Sequence, residues 1–186
     1  MLSKKIILTG NFGVGKTAIL EQYTADTYRE AYLSTIGLQV KKKITTILGQ
    51  EQALFIWDIC GEISQRKIPK SYFLGTDRVY YVIDLSRPCS FEHIEKDINY
   101  LKSILLNTSV KIIGNKIDLV SDSQLKSIKQ DLPYSIDELT SAKTGKNIDS
   151  LFNDSSLVQE YAPIPIKGTL YTIKGVSVPN QPALFI

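Results

Sequence analysis

Strand-like apolar runs alternate with helix-period segments along most of this chain. That order admits few architectures other than a parallel sheet covered on both faces by crossover helices. The runs are Lys5–Thr9, Leu38–Leu48, Ala53–Ile59, Val79–Leu85, Val110–Asn115 and Tyr134–Leu139. Val79-Tyr80-Tyr81-Val82-Ile83 and Val110-Lys111-Ile112-Ile113 are dense in β-branched and aromatic side chains, as strands buried on both faces require. Gly49-Gln50, between the second and third runs, reads as a hairpin turn and predicts one antiparallel edge strand. Spacing predicts helices over Gly15–Thr24, Gln65–Leu74, Ser90–Asn107, Ser123–Gln130 and Asn147–Glu160. In the third, Phe91, Ile94, Ile98, Leu101 and Leu105 recur at helical spacing, with Ser90 as candidate N-cap and Glu92 and Glu95 near the positive end of the dipole. In the last, Asn153-Asp154-Ser155-Ser156 interrupts the pattern.

The length of 186 residues allows about one domain plus an appendage, and the 43% hydrophobic content excludes disorder. A net charge of +3 lacks the basic excess of a nucleic-acid binder. Cys60 and Cys89 form no disulfide framework and no metal-ligand pair, which fits a cytoplasmic chain with reduced thiols. The apolar run after Lys4 and Lys5 is too short for a signal segment, and no stretch approaches a membrane span. A single histidine, His93, leaves no Ser-His-Asp triad and reads as a surface residue. From Ala162 the texture changes: four prolines bracket the alternating stretch Thr169–Ile173, and the sequence ends Ala183-Leu184-Phe185-Ile186. The expected organisation is a domain over residues 1–161 followed by an apolar tail over 162–186.

Directly after the first strand stands Gly10-Asn11-Phe12-Gly13-Val14-Gly15-Lys16-Thr17, a full match to G-x-x-x-x-G-K-[ST] between a strand and a helix. Its glycines let successive N–H groups turn toward a polyphosphate. Lys16 neutralises the β and γ oxygens there, and the Thr17 hydroxyl is placed to ligate Mg²⁺. The cradle identifies a nucleoside triphosphate site without choosing the base. Asn115-Lys116-Ile117-Asp118, at the end of the fifth run, supplies the choice. Guanine presents two adjacent donors that one carboxylate, Asp118, accepts together, whereas adenine would leave that charge unpaired. The stem of Lys116 can lie over the purine, and Asn115 can tie its loop to the cradle. Asp58, at the end of the third run in Trp57-Asp58-Ile59-Cys60-Gly61, is placed to hold Mg²⁺ through water, and the Gly61 N–H to reach a γ-phosphate. Thr35, in Ser34-Thr35-Ile36-Gly37, would add a hydroxyl to the metal only when that phosphate is present.

These four motifs, in this order, resemble a Ras-superfamily small GTPase, and the flanking residues resemble its Rab branch. Ser34-Thr35-Ile36-Gly37-Leu38-Gln39-Val40 is similar to the Rab segment STIGIDF. Trp57-Asp58, Ser71-Tyr72-Phe73-Leu74-Gly75 and Glu138-Leu139-Thr140-Ser141-Ala142-Lys143 also match, and the likeness covers roughly residues 3 to 160. It implies an α/β P-loop NTPase fold, the small G domain, with a six-stranded, mostly parallel sheet flanked by about five helices. It further implies a GTP/GDP switch that uses Mg²⁺, hydrolyses GTP and meets effector, exchange-factor and activating proteins through its switch loops. Nucleotide contacts would come from Gly13, Val14, Gly15, Lys16, Thr17, Ala18, Tyr28, Tyr32, Thr35, Gly61, Asn115, Lys116, Asp118, Ser141, Ala142 and Lys143. Of these, Tyr28 would pack edge-on against guanine, Tyr32 would close over the phosphates, and the Ala142 N–H would bond the guanine carbonyl. Thr17, Thr35 and Asp58 would manage the metal, and Lys16, Thr35, Gly61 and Glu62 would serve hydrolysis.

The departures from that family bear on turnover. Glu62 stands where members carry the glutamine that orients the attacking water, and a carboxylate beside a γ-phosphate predicts slow hydrolysis. Gln65, one turn on, either replaces that amide or stays on the surface. Phe12 replaces a small residue; its ring either crowds an incoming arginine or folds outward. Cys60 replaces alanine as a small filler or an oxidisable thiol. No cysteine follows Cys89, so no prenyl anchor is expected for the chain as given, and the Thr169–Ile186 segment would dock on its own domain or a partner. Lys41-Lys42-Lys43 reads as a solvated face, with acidic lipid heads as the alternative. The competing functional reading is a GTP-binding scaffold without meaningful turnover. A nucleotide kinase is disfavoured by the guanine motif and by only four arginines.

Overall fold

The computed structural model describes residues 2–25, 31–34, 38–59, 68–105 and 108–158, with the backbone alone at 31–34 and 158. One seven-stranded sheet runs in the order β2-β3-β4-β1-β5-β6-β7. Its strands are β1 (Leu2–Thr9), β2 (Ala31–Ser34), β3 (Leu38–Ile47), β4 (Gln50–Ile59), β5 (Arg78–Asp84), β6 (Ser109–Asn115) and β7 (Glu138–Leu139). Around it lie α1 (Lys16–Tyr23), α2 (Ile94–Ile104), α3 (Asp122–Asp131) and the short α4 (Ile148–Phe152). Every pair from β4 to β7 is parallel, and only β3 runs against the others.

All six apolar runs enter this mostly parallel sheet. The seventh strand, β2, has no apolar run to announce it. It pairs with the exposed backbone of β3, so the antiparallel strand expected at the edge sits one place inside it. The β3–β4 turn is also displaced by one residue: Ile47 pairs with Gln50, leaving Leu48 and Gly49 at φ 50° and 77°. Two left-handed residues make the turn whose twist suits a hairpin.

Alternation along the central strands builds two cores. β5 sends Tyr80 and Val82 to one face, with Ile6, Leu8, Ile19, Leu20 and Phe152. It sends Val79, Tyr81 and Ile83 to the other, with Ile7, Ile94, Ile98 and Leu101. Each fully buried side chain of this size contributes roughly 1.5–3 kcal/mol, so a strand with period-two alternation is clamped from both sides. The spacing read in α2 is what buries Ile94, Ile98 and Leu101. Ser90 does not cap that helix, however. It lies in a 3-10 turn over Pro88–Phe91, buried, with its hydroxyl bonded to the Asp84 backbone, while the exposed His93 occupies the N-cap position without a side-chain cap. Of the helix expected over Gln65–Leu74, the described part contains one 3-10 turn at Lys70–Phe73.

Two of the three consecutive lysines on β3 are not a solvated face. Lys43 donates to the Tyr23 carbonyl and lies 3.9 Å from that ring centre, and Lys41 reaches the Thr24 hydroxyl at 3.2 Å. Both lie at the negative end of α1, where a cation is favoured.

The polar interruption near the end of the described chain stops α4 at Phe152 because Asp154 has other partners. Arg78, with its side chain 5% exposed, donates to Asp154 Oδ2 at 3.0 Å, and Lys111 donates to the same oxygen. The Ser156 N–H bonds Oδ1, and a 3-10 turn over Ser155–Val158 follows. Burial pushes the Asp154 carboxyl up, but bonds from Lys111, Ser156 and Arg78 outweigh it and hold the group well below the ordinary 3.8. A depressed carboxylate contributes stability that is complete above its unfolded value and is lost as pH falls toward the folded one. Asp154→Ala, which leaves the buried Arg78 guanidinium without its counter-charge and with the Ser156 hydroxyl as its remaining side-chain acceptor, should therefore cost about 2 kcal/mol at pH 7 in urea denaturation. The deficit should shrink below about pH 4; an equal deficit at both pH values would refute the ion-pair account.

Candidate functional site

β1, β4, β6 and β7 deliver their carboxyl ends to one edge of the sheet, the place where open α/β sheets hold ligands. The segment Gly10–Gly15 leaves β1 there and runs into α1. Gly10 has φ 134°, and a Cβ on it would meet the Val82 carbonyl oxygen at 2.2 Å. Gly15, at φ 99°, forms the N-cap of α1, and a Cβ there would meet Asn115 Nδ2 at 2.3 Å. Val14 between them is fully buried in the core and anchors the loop. Lys16 folds back over it and donates to the carbonyls of Gly10 (3.0 Å) and Asn11 (2.8 Å). Its ammonium is thereby centred on the loop, where the charge of a polyphosphate would be met.

Thr17 is exposed at the start of α1 and donates to Asp58 Oδ2 at 2.5 Å. Asp58 is only 5% exposed, and its other oxygen is buried without a hydrogen-bond partner. Burial pushes this carboxyl above its ordinary value, against the Thr17 bond and the nearby Lys16 charge. A hydroxyl beside a buried carboxylate with a spare oxygen fits Mg²⁺, which takes one or two protein oxygens and completes its shell with water and phosphate. Among the described residues no cluster of three or more His, Cys, Asp or Glu competes for a metal.

The β6 end supplies the second wall. Asn115, 1% exposed, donates from Nδ2 to the Val14 carbonyl at 2.9 Å. Its Oδ1 accepts from the Ala142 N–H (3.1 Å) and the Thr140 hydroxyl (3.3 Å). Lys116 adopts φ 65° and sends its ammonium to the Gly13 carbonyl (2.9 Å) and Asp84 Oδ2 (2.6 Å), so its stem runs along the cradle. Asp118 Oδ1 accepts from the Ser141 hydroxyl at 2.6 Å, which fixes the orientation of an exposed carboxylate. Ser141 is fully buried, and Lys143 and Ala18 are exposed.

Gly13, Val14, Gly15, Lys16, Thr17, Ala18, Asp58, Asn115, Lys116, Asp118, Ser141, Ala142 and Lys143 thus come from four segments to one edge. The Ala142 N–H, assigned by resemblance to a base carbonyl, is bonded here to Asn115. Tyr32 is placed by its backbone alone, opposite Val40. Tyr28, Thr35, Cys60, Gly61, Glu62 and Gln65 lie outside the described residues, as does the tail over 162–186. Phe12 folds outward and is 61% exposed, so its ring leaves the cradle open.

Sequence reasoning missed Asp84 and Arg87, which meet the loop from the end of β5. Asp84 is an acidic residue closing a fully buried strand beside the cradle, a signal the sequence did carry. No helix among the described residues is long and apolar enough to cross a membrane. Gly15→Ala combines a positive φ with a clash against Asn115, and should lower stability by roughly 1–3 kcal/mol. Thermal unfolding checks this, and an unchanged midpoint would contradict the tight approach of the two segments.

The family profile of the Ras family matches residues 5–160. The chain is 35% identical over 156 residues to the Ras-related protein Rab-10 of Caenorhabditis elegans, covering 81% of this chain and 77% of that one. It is 32% identical over 159 residues to the Ras-related protein Rab-13 of Mesocricetus auratus, covering 80% and 76%. To the Ras-related protein Rab-1 of Theileria parva it is 35% identical over 157 residues, covering 80% and 70%. With a phosphate loop, a buried carboxylate and an Asn-Lys-x-Asp turn already assembled at one sheet edge, these likenesses assign the chain to the Ras family of small GTPases, as a Rab-like member.

Proposed function

We propose that this chain is a guanine-nucleotide switch acting in membrane traffic, which binds GTP or GDP with Mg²⁺ and turns GTP over slowly. The observation that carries the reading is the Asn115 side chain, which joins the phosphate loop to the loop beside Asp118. One ligand with a polyphosphate at one end and a purine at the other would span those segments. Asp118, oriented by Ser141, accepts the two adjacent donors of guanine; Lys116 and Ala142 border the base; Lys16 and the N–H groups from Gly13 to Thr17 take the phosphates. Thr17 and Asp58 hold the metal, which neutralises charge on the phosphate oxygens when bound. In hydrolysis a water attacks the γ-phosphorus, the bond to the β-γ bridging oxygen breaks, and GDP and phosphate leave. Thr35 and Gly61 would sense the γ-phosphate, with Tyr28 and Tyr32 closing over the nucleotide. Effector, exchange-factor and activating proteins would then read the loops around Thr35 and from Gly61 to Phe73. The chain works in solution or at most peripherally at membranes, and the apolar tail over 162–186 serves as a separate interaction segment beyond the domain over 1–161.

Slow turnover follows from Glu62. A carboxylate cannot donate the amide hydrogen bond that orients water, and it places negative charge beside an anionic phosphate. The same residue favours the second reading, a GTP-loaded scaffold without meaningful hydrolysis. Loading the full chain with GTP and Mg²⁺ and following phosphate release, with chromatography of the retained nucleotide, separates them. Retained GDP with slow release supports the switch, retained GTP without release supports the scaffold, and no retained guanine nucleotide rejects both. Glu62→Gln should speed single-turnover hydrolysis by about tenfold, within the range by which one positioned group alters such steps; equal rates would remove Glu62 from the account. Asp118→Ala should weaken GDP retention by about a hundredfold while leaving any adenine-nucleotide binding unchanged. Equal losses for both bases in competition assays would contradict the base assignment.

A further inference from the structure

Five consecutive carbonyls of the phosphate loop each accept a side-chain donor. Lys16 takes those of Gly10 and Asn11, Lys116 takes Gly13, and Asn115 takes Val14. The remaining one, Phe12, accepts from Arg87 Nη2 at 2.5 Å. Arg87 belongs to none of the nucleotide motifs; it stands in the turn after β5. Its guanidinium lies over the outer side of Gly13, where a Cβ would meet Nη2 at 3.3 Å and Nη1 at 3.5 Å.

The turn that carries Arg87 is itself fixed. Asp84 Oδ1 accepts from the Ser86 N–H (3.0 Å) and hydroxyl (2.7 Å), and Oδ2 accepts from Lys116 with Arg87 Nε 3.7 Å away. The buried Ser90 bonds the Asp84 backbone through its hydroxyl, and its carbonyl accepts Asn11 Nδ2 at 3.0 Å. One turn therefore grips the loop at two adjacent residues, Asn11 and Phe12.

A peptide plane is rigid, and its C=O and N–H point in opposite directions. Holding the Phe12 carbonyl outward fixes the Gly13 N–H toward the cradle. Gly13 has φ 74°, and glycine opposes a flip of that plane weakly. A flip would present a carbonyl oxygen to the polyphosphate in place of a donor. We propose that Arg87 is a positioning residue that clasps the phosphate loop in its nucleotide-holding shape and so slows nucleotide release. The proposal rests on the guanine-nucleotide reading of this site.

The test is the release rate of fluorescently labelled GDP from the full chain in excess unlabelled GDP and Mg²⁺. Arg87→Met keeps the apolar stem and removes every donor; Arg87→Lys restores one donor and the charge. Release should be about tenfold faster for Arg87→Met, the effect of one charge-assisted hydrogen bond, and within about threefold of wild type for Arg87→Lys. Far-UV circular dichroism of the same samples confirms that each variant is folded. Release from Arg87→Met within about twofold of wild type would overturn the clasp, as would equal rates for the two variants, since packing rather than donation would then be responsible. A wild-type chain that retains no labelled GDP would instead sink the underlying nucleotide reading, and that arm is read first.

Discussion

The buried carboxamide of Asn115 is the interaction on which the functional edge depends. It accepts and donates at once, holding the Val14 carbonyl on one side and the Ala142 N–H and Thr140 hydroxyl on the other. At 1% exposure it has no water to fall back on, so losing the Val14 carbonyl would leave its buried N–H group unsatisfied. Three segments far apart in sequence are thereby set in one geometry. The glycines are the complement of this arrangement: Gly15 must lack a side chain because Asn115 fills the space it would occupy.

Two aspartates at the ends of β4 and β5, the strands on either side of β1, show how surroundings divide one chemical group into two roles. Asp84 is pushed up by burial, but bonds from Lys116 and Ser86 hold it below its ordinary value. It behaves as a fixed anion that organises cations around the loop. Asp58 has one hydroxyl partner and an unpartnered oxygen, and burial prevails, so its carboxyl stands above its ordinary value. Such a carboxylate gains from a cation brought close to it. The difference lies in what faces each carboxylate, since both close strands of the same sheet.

Much of the frame was legible because it follows local rules. The unbroken β-branched and aromatic run Val79–Ile83 and the helical spacing from Phe91 to Leu105 predicted a strand covered on both faces and a helix face, and both are buried in the structure. Elements were missed where partners lie far away in sequence. β2 carries no apolar run and exists because β3 offers a backbone ladder. Ser90 has the chemistry of a cap, but the Asp84 backbone claims its hydroxyl. Lys41 and Lys43 read as a charge run until the end of α1 lies beside them.

The sequence by itself determined the fold class, the G-x-x-x-x-G-K-[ST] loop, the Asn-Lys-x-Asp turn and the family, because each rests on residue types at fixed spacing along the chain. The outward rotation of Phe12, the bonding of Ala142 to Asn115, the opposite fates of Asp58 and Asp84 and the reach of Arg87 to the loop were decided only by tertiary structure. Hydrogen bonds and desolvation depend on which groups meet in space, and those meetings span from 27 residues of chain, between Ala142 and Asn115, to 101, between Asn115 and Val14.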